Sequence, residues 1–347
     1  MRGEHIFRDR YCDGHVRFCP DTPSRLSPGQ VTPKRVLVTR HLPEGSLDPL
    51  NDAGFDVVQH GETAPLTPDE LSDEIRRVDG IVCLLTDRVD RRILEAGAGR
   101  LRVVANVAVG YDNIDLAAAN DLGVAVCNTP GVLDDTTADL AFVLILAASR
   151  LMSDAERDLR AGKWTGWAVD QYLGQDVHGR ILGLVGWGRI GRRVADRARG
   201  FGMQVLHHAR RPSGESGYVS ELDDLLRAAD VVSIHVPLRE DTYHLIGPRR
   251  IGLMKPTAVL VNTARGPIVD ETALAEALHA NRIFAAGLDV YEDEPTVHPR
   301  LLSAPRTVLL PHVGSASVAT RTAMGRLASR SVVDVLCGRL PPTLVTV

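Results

Sequence analysis

The stretch Arg180-Ile-Leu-Gly-Leu-Val-Gly-Trp-Gly-Arg-Ile-Gly191 decides the fold. Ile181 to Val185 is a short apolar run, suited to a strand buried on both faces. Gly186, Gly188 and Gly191 follow as G-x-G-x-x-G, and Ile190, Val194 and Ala198 then recur at helical spacing. Each glycine has its own physical reason. Gly186 permits a tight turn, Gly188 lets the backbone approach a pyrophosphate, and Gly191 lets the helix pack closely on the strand. The helix N-terminus adds free N–H groups and a partial positive charge for the phosphates. With a second strand at Met203–His208, the pattern predicts that Gly186, Gly188, Arg189, Ile190 and Gly191 hold a dinucleotide.

Outward from this motif the chain alternates strands and helices. Downstream, strands are expected near residues 181, 203, 231, 257, 283 and 307, with Asp270 an N-cap for Glu271–Ala280. Upstream, from Arg35, strands are expected at Val36–Thr39, Asp56–Gln59, Gly80–Leu85, Arg102–Val107 and Val124–Cys127. The alternation predicts an α/β protein with parallel, doubly wound sheets and helices on both faces. A helical pattern from about Asp135 to Ala161 is too long for an ordinary crossover and is expected to bridge two domains or form a subunit contact. A last helix is expected over Ser315–Cys337. Residues 1–33 carry Pro20, Pro23, Pro28 and Pro33 and no apolar period, which predicts a mobile arm. His5, Cys12, His15 and Cys19 in that arm match no familiar zinc spacing.

Composition narrows the function. The chain has 347 residues, enough for two cores, and its 44% hydrophobic and 24% charged content is ordinary for a globular protein. A formal net charge of −4 gives no electrostatic case for a nucleic-acid partner. No apolar run reaches bilayer length and the start does not resemble a signal peptide, so no membrane partner is expected. Five scattered cysteines suit a reducing compartment, and the expected location is cytoplasmic.

The strand after a dinucleotide glycine motif usually ends in an acid that binds the adenosine ribose. Here Ala209 stands at that place, followed by Arg210 and Arg211. A carboxylate would repel a 2′-phosphate, whereas a guanidinium can pair with it through two hydrogen bonds. The sequence therefore favours NADP(H), with NAD(H) as the alternative; two solvated surface arginines would look the same.

Three further stretches each end an expected strand with a reactive side chain: Val259-Leu-Val-Asn-Thr-Ala-Arg-Gly266, Ala286-Gly-Leu-Asp-Val-Tyr-Glu-Asp-Glu-Pro295 and Leu309-Leu-Pro-His-Val-Gly-Ser315. Singly, each has an ordinary structural explanation. Together with Leu84–Asp90, Asn106–Asp115, the glycine motif and the closing Leu340–Val345, they resemble the D-isomer-specific 2-hydroxyacid dehydrogenases, close to the glyoxylate/hydroxypyruvate reductase branch. The resemblance runs from about Arg35 to the C-terminus.

The resemblance implies two Rossmann-like domains, the substrate domain discontinuous over 34–130 and 315–347 and the dinucleotide-binding domain over 131–314. The active site is expected in the cleft between them, with closure excluding water. It implies reduction of a small 2-oxo acid to the D-2-hydroxy acid at an Arg265–Glu294–His312 site. His312 would donate the proton, imidazole titrating near neutral pH. Glu294 would hydrogen-bond the far ring nitrogen, with Glu292 and Asp293 as rival acids. Arg265 would hold the substrate carboxylate and carbonyl oxygen. The N–H groups of Val109 and Gly110 would grip the carboxylate, with Leu85 against the substrate. Thr263, Ala264, Asp289 and Gly314 would line the nicotinamide, Asp289 accepting from its carboxamide, and Val236 and Pro237 would pack near the adenosine half. Trp167 would reach into a neighbouring subunit of a homodimer, ordinary interface packing being the alternative. Asp134 stands where the family usually has Thr. Rivals are sibling enzymes for D-lactate or D-3-phosphoglycerate, formate chemistry on the same fold, which Glu294 disfavours, and a coenzyme-sensing corepressor.

Overall fold

The computed structural model describes residues 33–61 and 64–346; the arm expected over residues 1–33, with its histidines and cysteines, lies outside the described residues except for Pro33. The chain forms two compact units, one from the described residues within Met1–Val132 and Ser317–Val347, the other Leu133–Ala316.

In the first unit the strands are β1 (Arg35–Val38), β2 (Asp56–Gln59), β3 (Gly80–Cys83), β4 (Val103–Asn106) and β5 (Ala125–Cys127). They pair in parallel in the order β2-β1-β3-β4-β5. β3 and β4 are buried along their whole length, as expected of runs without polar alternation. Side-chain oxygens start three of the crossover helices: Thr67 and Glu70 form a reciprocal box, and Asp90 and Asp115 accept from Ile93 and Ala118. The helix Val318–Leu336, from the far end of the sequence, packs on β3 and β4, and its Ser329 hydroxyl donates to the Ser46 carbonyl at 2.9 Å.

The second unit has β6 (Ile181–Val185), β7 (Gln204–His208), β8 (Val231–Ile234), β9 (Val259–Asn262), β10 (Ala285–Leu288) and β11 (Thr307–Leu309). Their order is β11-β10-β9-β8-β6-β7, all parallel. A single bridge adds the start of another edge: the His207 N–H donates to Gly217 O at 2.8 Å and the Val219 N–H to His207 O at 2.9 Å. The polar run Arg210–Ser216 gives no strand period, so this pairing is silent in the sequence.

One expectation needs correction. The pattern from about Asp135 to Ala161 is two helices, Asp134–Ser149 and Met152–Arg160, bent by 69°. Leu151 lies between them at φ 54°, a left-handed conformation that a right-handed helix does not continue through. The first helix is apolar nearly all round because it is buried against β9, β10, β11 and the helix Arg189–Gly200. The second is amphipathic and carries no buried residue. Among the described residues no single helix is long and apolar enough to cross a membrane. Cys83 and Cys127 are buried free thiols and Cys337 is an exposed one.

Candidate active site

β9, β10 and β11 are neighbours, and their C-terminal ends lead to Arg265, Glu294 and His312. After β9 the chain turns at once, held by Asn262: its side-chain N–H donates to Arg265 O at 2.8 Å and its oxygen accepts the Ala264 N–H at 3.0 Å. Thr263 and Ala264 sit in this turn, and the Thr263 hydroxyl is buried without a hydrogen-bond partner among the described residues. After β10, Glu294 accepts the Tyr291 N–H on Oε1 at 3.0 Å and faces His312 with Oε2, 2.8 Å from Nδ1. Burial alone would raise the Glu294 pKa. The His312 bond and charge, the Tyr291 N–H and the positive charge of Arg265 outweigh it, and the carboxyl ends below its ordinary value. The ring N–H of His312 is therefore the donor to an ionised carboxylate.

His312 sits at φ 53°, a strained backbone for a residue with a side chain, and Asp289 is what holds it there. The backbone oxygen of Asp289 accepts the His312 N–H at 2.9 Å, and its two carboxylate oxygens accept the N–H groups of Val313 and Gly314 at 2.7 and 2.8 Å. Asp289 is fully buried, so its visible work is to fix the histidine loop. Burial raises its pKa, against those N–H bonds and the His312 charge.

The glycine turn fits a dinucleotide on the structure's own terms. A Cβ on Gly186, which has φ 110°, would lie 2.5 Å from His235 O, and one on Gly191 would lie 2.4 Å from Gly186 O. The chain itself requires both glycines. A Cβ on Gly188 would meet nothing within 4 Å among the described residues, so the space beside it is open, at the N-terminus of a helix without a side-chain cap. Ile190 lies in the first turn of that helix, and Arg189 pairs with Asp134 at 3.1 Å. The departure at position 134 thus has a local function. Val236 and Pro237 follow β8 beside the turn; Val236 Cγ1 would lie 3.0 Å from a Cβ on Gly186. At the end of β7, Ala209 is followed by exposed Arg210 and Arg211, which form no ion pair among the described residues.

Leu85, Val109 and Gly110 belong to the first unit. Their loops are tied by side chains that the sequence reading passed over. Asn106 donates to Gly110 O at 2.8 Å and to Asn113 Oδ1 at 3.0 Å; Asn113 donates to the carbonyls of Leu84 and Asp87 at 3.1 and 3.0 Å; Asn128 donates to Val109 O at 2.8 Å. Two asparagines inside one glycine-bearing motif were the available signal. Trp167, in the second unit, is 81% exposed, in a segment where Trp164, Val169 and Leu173 are exposed as well.

Comparison with known proteins bears on this arrangement. Residues 142–314 match the NAD binding domain of the D-isomer specific 2-hydroxyacid dehydrogenases. The chain is 44% identical to a glyoxylate reductase of Thermococcus onnurineus over 320 residues, 90% of this chain and 95% of that one. It is 46% identical to a glyoxylate reductase of Korarchaeum cryptofilum over 319 residues, again 90% and 95%. The crystal structure of an NADPH-dependent glyoxylate/hydroxypyruvate reductase from Sinorhizobium meliloti, in complex with NADP and malonate, superposes with a TM-score of 0.79 at 35% identity, covering 90% of this chain and 97% of that one.

Proposed function

The chain belongs to the D-isomer specific 2-hydroxyacid dehydrogenases, and on that premise we propose that it reduces glyoxylate and hydroxypyruvate to glycolate and D-glycerate, with NADPH favoured over NADH. The observation that carries the reading is the 2.8 Å contact between Glu294 and His312 at the ends of adjacent strands, with the Arg265 charge acting on the same carboxylate. When bound, the reduced nicotinamide supplies a hydride to the carbonyl carbon. His312, its Nδ1 engaged by Glu294, keeps Nε2 for the substrate and gives its proton to the carbonyl oxygen as negative charge develops there. Glu294 fixes the orientation of the ring and keeps the Nδ1 proton in place. Arg265 pairs with the substrate carboxylate and the developing oxyanion. Gly186, Gly188, Arg189, Ile190 and Gly191 would hold the pyrophosphate, and Thr263, with its unpartnered hydroxyl, the nicotinamide side.

The NADPH preference rests on Ala209 in place of an acid and on the exposed Arg210 and Arg211. The apolar surface of Trp164, Trp167, Val169 and Leu173 supports a homodimer formed through that segment, and the free buried thiols support a reducing cytoplasm. One assay tests the whole reading: oxidation of NADPH and of NADH with glyoxylate, hydroxypyruvate, pyruvate and phosphohydroxypyruvate. His312→Asn should lower kcat by roughly 10²–10⁴-fold and leave NADPH binding nearly intact. Full turnover in that variant removes the proton-donor role.

A further inference from the structure

Glu271 is a buried carboxylate, only 5% exposed, that the chemistry above does not use. It opens the helix Glu271–His279, whose cap is already supplied by Asp270, accepting the Ala273 N–H at 2.8 Å. An acid at the start of a helix is favourable, but it gains that advantage while exposed. Here the carboxylate is turned inward. Its Oε1 accepts the Glu292 N–H at 2.7 Å, and the Oε1 of Glu292 accepts the Glu271 N–H at 2.9 Å in return. His244 Nε2 lies 3.0 Å from the same Glu292 oxygen. Burial pushes the Glu271 pKa up and the Glu292 charge adds to the rise, against the lowering effect of the backbone N–H groups of Glu292 and His298 and of the His298 charge. A buried acid beside a second acid is an unfavourable choice unless the bond it makes has a use.

That bond fixes one peptide, the link between Tyr291 and Glu292, and the elements of the site meet there. On the carbonyl side of the peptide stands Gly266, the neighbour of Arg265. A Cβ on Gly266 would lie 1.9 Å from Tyr291 O, so the Arg265 turn is seated directly on this peptide. The N–H of Tyr291 orients Glu294 through Oε1, leaving Oε2 for His312. The Tyr291 hydroxyl donates to Leu310 O at 2.9 Å, two residues before His312. The elements carrying the guanidinium, the carboxylate and the imidazole therefore all meet at Tyr291, through its carbonyl, its N–H and its hydroxyl, and Glu271 grips the N–H of the peptide that follows it.

We propose that Glu271 is a positioning residue for this site: by holding the Tyr291–Glu292 peptide, it sets Glu294 against His312 and seats the Arg265 turn. The proposal rests on the reading that those three side chains act on the substrate. Small displacements at a reacting site reach 10²-fold in rate, so Glu271→Ala should lower kcat by about ten- to a hundredfold while the NADPH Kd stays within about twofold of wild type. Glu271→Gln keeps an oxygen at the same reach and should retain kcat within about threefold. A carboxylate of merely structural value would lower Tm in both variants without separating kcat from coenzyme binding. Unchanged kcat in Glu271→Ala overturns the proposal, and so does an equal loss in Glu271→Gln. If the alanine variant does not fold, Glu271→Asp, which withdraws the oxygen by one methylene, should lower kcat by about three- to tenfold, and unchanged kcat there overturns it. Wild-type protein that oxidises no coenzyme with any 2-oxo acid, or an active His312→Asn, overturns the functional reading instead.

Discussion

The two sheets share a strand order and differ in what occupies the same place on each. β2-β1-β3-β4-β5 and β7-β6-β8-β9-β10-β11 are one succession, the second longer by a strand. In each, the order reverses beside the first strand, where open α/β sheets bind ligands. β6 runs there into Gly186-Trp187-Gly188; β1 runs into Thr39-Arg40. In the first unit Asp87 closes the place. It accepts from the Thr39 hydroxyl at 2.5 Å and the Leu84 N–H at 2.8 Å, and pairs with Arg40 at 3.2 Å, the two charged side chains being 7% and 1% exposed. In the second unit nothing stands within 4 Å of a Cβ on Gly188. Topology makes the crevice in both, and the side chains decide whether a phosphate has room in it.

Breaking the filled crevice should have the largest effect. Asp87→Ala leaves the Arg40 guanidinium buried without its carboxylate, a change that costs about 3–5 kcal/mol. Urea unfolding should register that loss in the first unit, while NADPH affinity, a property of the second, stays unchanged. An unaltered unfolding midpoint would mean that the buried pair is not what holds this crevice shut.

Filling the open crevice should have the next largest effect, with stability and binding moving apart. Gly188 is the N-cap of the helix Arg189–Gly200, and aspartate is among the favoured residues there. Gly188→Asp should therefore fold at least as stably as wild type. The same carboxylate would stand where the coenzyme phosphates are expected, and NADPH affinity should fall by about a hundredfold, or about 2.7 kcal/mol. Calorimetric titration and a thermal melt on one preparation check both signs; a tight-binding variant would show that the space beside Gly188 is not the phosphate site.

The comparison also marks what the sequence discloses. The glycine turn is legible because each glycine answers a constraint within a few residues, and strand runs such as Val259–Asn262 are legible because burial on both faces leaves no polar alternation. The pairing of Arg40 with Asp87 is not, because their partnership exists only once β1 and β3 lie side by side. Glu271 is hidden differently: an acid at a helix start has a sufficient local explanation, and its inward turn depends on Glu292 arriving from the next strand. The break at Leu151 is invisible because leucine is an ordinary helix former, and no glycine, proline or asparagine marks the left-handed turn there. The sequence marks Arg265, Glu294 and His312 as reactive side chains that close expected strands, but only the resemblance joins them into one site, because their strand ends are adjacent only in the folded sheet.

The smallest expected effect separates the two crevices by pH. His235 follows β8 directly beneath the glycine turn, where its carbonyl meets Gly186; the residue in the same place after β3 is Leu84, which does not titrate. Part of His235 reaches solvent, but its ring is shielded, with Nε2 2.8 Å from the Ser233 hydroxyl, and burial pushes its pKa down from 6.5 to about 4. With the folded value below the unfolded one, the unfolded chain takes up the proton first. The stability owed to the neutral ring is complete above pH 6.5, is lost as the pH falls toward 4, and changes no further below that. Between pH 6.5 and 5.5 this single group should lower the unfolding free energy by about 1 kcal/mol. His235→Gln keeps a polar partner for Ser233 and has no proton to gain, so its stability should fall less than that of wild type across the same interval. Parallel curves for the two proteins would show that the ring beneath the open crevice is not held neutral by the fold.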